Sequence, residues 1–105
     1  MRTRVERQVE QIISPDYYTR FAPSLGPLAT SILSIIARYG DISNHQAILD
    51  IDWVARELGT TQLNALVAIT ALVEAQIIGV NRNPITLVAK IRDRSDWVES
   101  GKEIV

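Results

Sequence analysis

A chain of 105 residues with 47% hydrophobic side chains is long enough to bury one core and too short for two. It carries 11 Lys and Arg against 12 Asp and Glu, a formal net charge of −1, whereas domains that hold nucleic acid through many phosphates usually carry a basic excess. The absence of cysteine excludes disulfides and thiolate metal sites, and no run approaches the roughly 20 apolar residues of a membrane span.

No signal-peptide pattern opens the sequence, so we expect a cytoplasmic protein with no membrane partner. The first 24 residues (1–24) are predicted to form a helical extension. Its first helix carries a narrow apolar stripe, formed by Val5, Val9, Ile12 and Ile13. Ser14-Pro15-Asp16 is predicted to end this helix and to cap a second, short one. Because such stripes are typical of helices that pair outside a small core, Val5, Val9 and Ile12 are candidate protein-interaction residues.

A core domain is predicted over residues 28–92. Gly26-Pro27 can start its first helix and Gly40 can end it, with apolar residues at helical spacing between them: Leu28, Ile32, Leu33, Ile35, Ile36 and Tyr39. The following segment, 47–51, is predicted to be a short strand. Asp52 is then predicted to cap a second helix, which would bury Trp53 against Leu49 or Leu58.

The end of this second helix has the stop and start signals of a helix-turn-helix. Gly59 can leave it through a left-handed turn, and Thr60 or Thr61 can cap a third, longer helix. Val54 to Gly59, the polar turn, the long helix and the apolar run Ile77–Val80 resemble the winged helix-turn-helix domains of bacterial and archaeal regulators, with small Ala55, Gly59, Ile69 and Leu72 at the spacing of that family. The resemblance covers roughly residues 28–92. It implies a mainly α fold with a small β-hairpin wing, and DNA binding in most members.

Alternation predicts the wing hairpin without the resemblance. Two sets of residues point in opposite directions from a strand: Ile85, Leu87, Ala89 and Ile91 on one side, and Thr86, Val88, Lys90 and Arg92 on the other. Ile77–Val80 is the predicted partner strand, and Asn81-Arg82-Asn83-Pro84 has the composition of a tight turn. Residues 93–105 are predicted to be a tail, with one capped turn or short helix at 95–99.

The third helix stands where a winged-helix protein carries its DNA-reading helix, yet the stretch from Leu63 to Glu74 contains no Lys or Arg. At about 100° per residue its two sides can be separated. Ala65, Ala68, Ile69, Leu72, Ala75 and Gln76 share the side predicted to face the core, and Leu63, Leu66, Val67, Thr70 and Glu74 share the opposite side. Base edges are read by hydrogen-bonding side chains, and in this region only Gln62, Asn64 and Thr70 qualify.

The opposite side of this helix has two interpretations. Another part of the chain covers it, such as the N-terminal helix or the Trp97 segment, or it is a protein-interaction surface formed by Leu63, Leu66, Val67 and Thr70. A winged-helix protein-interaction module, either a homodimer or a subunit of a larger assembly, explains the apolar helix and the near-zero charge together. This is the preferred hypothesis.

The alternative is a small DNA-binding transcriptional regulator that contacts the DNA backbone through its wing. A basic strip would then form from Arg82, Lys90, Arg92 and Arg94, with Gln62 and Asn64 as further nucleic-acid-binding candidates. The same charges would also protect a solvent-facing strand from aggregation. No enzyme class is indicated, because His45 is the only histidine, no nucleophile motif accompanies it, and the five glycines form no phosphate loop. We expect no catalytic residue, metal, cofactor or small-molecule ligand.

Overall fold

The computed structural model describes residues 4–40, 46–82 and 87–98, in which the chain forms six α-helices and three strands. The helices are α1 (Arg4–Ile12), α2 (Pro15–Arg20), α3 (Ala22–Leu25), α4 (Pro27–Tyr39), α5 (Ile51–Glu57) and α6 (Gln62–Glu74). The strands are β1 (Gln46–Leu49), β2 (Ile78–Arg82) and β3 (Leu87–Ile91), and a single 3-10 turn follows at Arg94–Asp96. A mostly helical chain with a small antiparallel sheet agrees with the predicted mainly α class.

The three strands form one sheet in the order β1-β3-β2, with both outer strands antiparallel to β3. Residues of one alternating set face the core, as predicted for β3: Ala47 and Leu49 of β1 and Leu87, Ala89 and Ile91 of β3. The predicted turn at 81–84 is corrected, because Asn81 and Arg82 continue β2 and pair with Val88 and Leu87. Pairing satisfies their backbone polar groups. His45, Asn83, Pro84, Ile85 and Thr86 lie outside the described residues.

Side-chain caps begin three of the helices. The Ser14 hydroxyl accepts from the backbone N–H of Tyr17 at 3.3 Å, as predicted for α2. The Thr61 hydroxyl accepts from the N–H of Asn64 at 3.1 Å and starts α6, so Thr61 is the cap among the two predicted candidates, Thr60 and Thr61. The predicted Asp52 cap of α5 is wrong. Asp50 caps this helix, accepting from the N–H groups of Asp52 (2.9 Å) and Trp53 (3.3 Å), because β1 ends at Leu49 and the helix begins at once.

Left-handed residues follow the two helices α5 and α6. Gly59 has a φ of 64°, and Thr60 donates its N–H to the carbonyl of Ala55 at 2.9 Å, so the predicted left-handed exit from α5 is confirmed. Gln76 ends α6 in the same way, with a φ of 58°. It was predicted on the core side, but it is exposed because the helix ends at Glu74 and the left-handed turn redirects the chain.

Helix α4 lies at the centre of the core, in contact with α1, α3, α6 and two of the strands. The four residues predicted to be buried are all buried: Ile36, Ile69, Leu72 and Ile91. The prediction that Trp53 is buried against Leu49 or Leu58 is wrong. The Trp53 side chain is exposed, and its ring packs edge-on against the exposed Tyr39 with centroids 5.9 Å apart. With the cap at Asp50, Trp53 falls on the outer side of α5.

An aromatic cluster joins the segment after β3 to the N-terminal helices. The Trp97 ring packs edge-on against Phe21 (centroids 5.5 Å) and Tyr17 (6.4 Å), and its indole N–H donates to the carbonyl of Arg92 at 3.1 Å. The Tyr17 hydroxyl lies 2.8 Å from that of Thr30, which itself donates to the carbonyl of Gly26. Tyr17 is therefore the donor, and burial raises the pKa of its phenol and keeps the proton in place. Both terminal segments thus help to form the core.

Candidate protein-interaction face on helix α6

The inner side of α6 packs against the core. Ala65, Ala68, Ile69 and Leu72 are buried, and the contacts of the helix are with α4, α5, α3 and β2. Leu72 has no exposed surface. The predicted register of this helix is therefore confirmed on its inner side, and the side chains on its other side point away from the body of the domain.

The outer side of α6 is largely apolar, and none of the described segments covers it. Leu63 is 70% exposed and Val67 is 61% exposed, with Thr70 and Glu74 also exposed. Leu66 is half-buried, since it falls at the border between the two sides of the helical wheel. We call Leu63, Leu66, Val67 and Thr70 the α6 outer face. Neither α1 nor the Trp97 segment covers it, because α1 packs on α4 and Trp97 packs on Phe21 and Tyr17.

The hydrogen-bonding side chains around this face already have partners within the chain. The Gln62 amide donates to the carboxylate of Asp52 at 3.2 Å, and the Asn64 amide donates to the Thr60 hydroxyl at 3.3 Å. The Thr70 hydroxyl donates to the backbone carbonyl of Leu66 at 2.9 Å. Each amide uses one of its N–H groups in these exposed bonds and keeps a second N–H and its carbonyl oxygen. The reading of a base edge by Gln62, Asn64 and Thr70 stays a prediction.

The charge around α5 and α6 has the wrong sign for a polyanion. Residues 50–76 contain four carboxylates and one arginine, a formal charge of −3. Asp52 and Arg56 of this segment pair with each other at 3.2 Å. A segment with this charge offers phosphates little attraction. The absence of Lys and Arg from α6 is thus part of a wider acidic character of residues 50–76.

The basic strip predicted along β3 and its extension is interrupted at Arg94, whose side chain is 40% exposed and packs on the aromatic cluster. Its guanidinium lies 4.7 Å from the ring centroids of both Phe21 and Trp97 and pairs with the carboxylate of Asp16. Arg92 pairs with Asp96 at 3.5 Å. Lys90 is exposed on the outer side of the sheet. The backbone of Arg82 lies at the end of β2, and its side chain is outside what the structure describes.

The N-terminal stripe has a covering within the chain. Ile12 is buried, and Val9 and Ile13 are partly buried, all packed against the core through the contact of α1 with α4. The backbone of Val5 lies in α1, and its side chain is outside the description. The expectation that this stripe has no place within the domain is therefore wrong. The prediction that this stripe forms an interface stays untested, and the burial of Ile12 does not support it.

Two exposed apolar sites were missed by the sequence interpretation. Ile48 is 72% exposed on the outer side of the sheet, directly opposite Val88. The signal was present, because inward-facing Ala47 and Leu49 require the residue between them to face outward. The Tyr39 and Trp53 pair had no such signal, since it depends on where α5 begins.

The described residues include no group of three or more His, Cys, Asp or Glu side chains able to hold a metal ion. None of the described helices is long and apolar enough to cross a membrane. No family model, curated protein or solved structure matches this chain.

Proposed function

We propose that residues 28–92 form a winged helix-turn-helix domain that acts as a protein-interaction module, with the α6 outer face as its contact surface. The element order α4, β1, α5, α6, β2, β3 and the sheet order β1-β3-β2 support the fold, since the resemblance implies a hairpin wing completed by a short strand. The single observation that carries the function is the exposure of Leu63 and Val67 on a helix with no Lys or Arg.

The physical reason is the cost of keeping large aliphatic side chains in water. Fully burying a Leu or Val side chain is worth roughly 1.5–3 kcal/mol relative to leaving it exposed. Leu63 and Val67 lie on adjacent turns of one helix, so a single partner can cover both. A helix or groove with an apolar surface gains this energy, whereas a DNA groove offers at most a thymine methyl group.

A DNA-binding role has less support from the same residues. The α6 side of the domain is acidic, and two of the four candidate phosphate contacts, Arg92 and Arg94, are paired with carboxylates. Phosphate contacts supply a large share of the affinity of DNA-binding domains. A cation that is already paired with a carboxylate contributes less to such a contact than an unpaired one. A phosphate contact from Arg92 or Arg94 would require the chain to give up an internal ion pair.

Sedimentation equilibrium on three proteins tests the proposal: the wild type, Leu63→Glu and Ile48→Glu. The two variants place the same carboxylate at aliphatic positions of nearly equal exposure, 70% and 72%, on different surfaces. Leu63 lies in the first turn of α6, where the helix dipole stabilises a carboxylate, so we expect Leu63→Glu to retain the fold. Circular dichroism checks this.

We expect the wild type and Ile48→Glu to self-associate with rising concentration and Leu63→Glu to remain monomeric. A charge placed in a desolvated contact goes unpaired, whereas on an exposed surface it costs little. A wild type that is monomeric at every concentration would overturn the proposal and return DNA binding to first place. Equal loss of association in both variants would also contradict it.

A further inference from the structure

We infer that the partner of the α6 outer face is a second copy of this chain, packed so that the two α6 helices run antiparallel and Glu74 of each lies against the N-terminus of the other. The inference rests on the proposed function, because it names the occupant and the geometry of that same contact. It follows from two properties of the helix, the spacing of its outer residues and the placement of its one charge.

The outer residues are arranged so that the helix can pair with its own reverse. Leu63, Val67, Thr70 and Glu74 occupy successive turns, and reversing the helix about its midpoint exchanges Leu63 with Glu74 and Val67 with Thr70. The contact spans about 17 Å along the helix axis at 1.5 Å per residue. An antiparallel copy therefore places Val67 against the methyl-bearing Thr70 at the centre, and at each end it places Leu63 of one copy beside Glu74 of the other.

The charge of α6 is complementary to this arrangement. Glu74 is the only charged side chain of the helix and is exposed in its last turn, which contains no basic residue and where the helix dipole disfavours a carboxylate. Among the described residues no Lys or Arg forms an ion pair with it. The first turn of α6, in contrast, contains no acidic residue although its free N–H groups favour one. Each end of one helix thus offers what the opposite end of another lacks.

The N-terminal end of α6 also carries a neighbouring acid, and its pairing decides whether Glu74 of another copy can approach. Asp52 accepts a hydrogen bond from Gln62 at this end. Its carboxylate is paired with Arg56, whose side chain is 72% exposed. The pair is neutral overall and exposes both groups, with the Asp52 carboxylate 55% exposed. The donors that remain for an incoming carboxylate are therefore the free N–H groups of the first turn of α6. A parallel dimer would instead place Glu74 beside Glu74, where the like charges repel.

The size of the face sets the strength to be expected. One side of one helix is small beside the roughly 1,200–2,000 Å² that stable complexes bury. We therefore expect a weak dimer whose population depends strongly on protein concentration. The experiments below accordingly use concentrations at which sedimentation shows the wild type to be associated.

Cysteine cross-linking tests the geometry directly, because the chain has no cysteine of its own. Leu63→Cys and Glu74→Cys are mixed in equal amounts under mild oxidation, and mass spectrometry distinguishes mixed from identical pairs. The antiparallel arrangement predicts mixed dimers well above identical ones. Identical pairs in excess would establish a parallel dimer and overturn this inference while leaving the proposed function intact. Cross-linking no greater than that of the surface control Ile48→Cys would exclude a second copy at this face.

Glu74→Gln tests the charge without a cross-link. In the antiparallel dimer the substitution removes two favourable contacts, so the dissociation constant rises by roughly two- to fivefold for each end. In a parallel dimer the same substitution removes repulsion and the dissociation constant falls. Tighter association of Glu74→Gln, or an unchanged constant, would overturn the inference, and a wild type that never associates would remove the proposed function with it.

Discussion

The N-terminal stripe on α1 and the α6 outer face look alike in the sequence and differ in the structure. Each is a set of aliphatic side chains at helical spacing with no evident covering. The chain covers the first, since Ile12 is buried against the core, and leaves the second in water, with Leu63 70% exposed. Helix α1 was free to fold back on α4, whereas α6 already uses its inner side there. An apolar stripe thus predicts burial without telling which molecule provides it.

The largest expected difference lies between the two sides of α6 itself. Leu72→Ala leaves a cavity in the core and should lower the free energy of unfolding by roughly 2–5 kcal/mol. Val67→Ala truncates a side chain that is already exposed to solvent and should change the free energy of unfolding by about 0.5 kcal/mol or less. Urea denaturation measures both, at a concentration low enough for the chain to be monomeric. Equal losses would contradict the register of the helix.

The next comparison sets α1 against α6. Ile12→Ala should lower the free energy of unfolding by about 2 kcal/mol, because Ile12 is buried within the chain, and should leave the association constant unchanged. Leu63→Ala should lower the association constant and leave the free energy of unfolding nearly unchanged. Thermal unfolding and sedimentation equilibrium on the same two variants give all four values. Loss of association in Ile12→Ala at unchanged stability would instead make α1 the interface.

Arg94 and Arg92 offer a smaller contrast within the segment after β3. Arg94 lies over two aromatic rings and pairs with Asp16, so Arg94→Ala should cost about 1–2 kcal/mol of stability, from two cation–π contacts and an ion pair. Arg92→Ala breaks one exposed pair and should cost about 0.5 kcal/mol or less. Arg94→Lys should recover only part of the loss, because an ammonium group lacks the planar guanidinium. Denaturant midpoints rank the three variants, and equal values for Arg92→Ala and Arg94→Ala would argue against the aromatic contacts of Arg94.

Binding to DNA is the smallest effect we expect. At physiological salt a titration with fluorescent duplex DNA should show a dissociation constant no tighter than the non-specific range of about 10⁻⁴–10⁻⁶ M. Whatever binding remains should weaken for all sequences alike in Lys90→Ala, since a phosphate contact carries no sequence preference. Submicromolar, sequence-dependent binding would contradict the role assigned to the α6 outer face.

Local signals in the sequence predicted most of the fold. Ser14, Gly59 and Thr61 each act within a few residues, and their roles in ending or starting helices were predicted correctly. The choice between Asp50 and Asp52 as a cap depended on where β1 ends, which is set by pairing with β3 across the sheet. The exposure of Trp53 followed from that choice. The four-residue helix α3, with Pro23 in its first turn, had too few residues for a periodic signal.

The candidate site was predictable in part for the same reason. The helical wheel correctly separated Leu63, Val67 and Thr70 from the buried residues of α6. It could not show whether α1 or the Trp97 segment would cover them. Nor could the alternation of charges after β3 show that Arg94 would reach Asp16, which lies 78 residues earlier in the chain. Such contacts are decided by packing between distant segments, and no short pattern encodes them.

The most direct test of the central claim is whether the α6 outer face becomes covered as the protein associates. A single cysteine at Val67, compared with one at Ile48, reports this through its rate of reaction with a thiol reagent across the attainable range of protein concentration. If the face is an interface, the rate at position 67 falls as concentration rises while the rate at position 48 stays constant. Equal, concentration-independent rates at both positions would show that the face is merely exposed and would contradict its role as an interface.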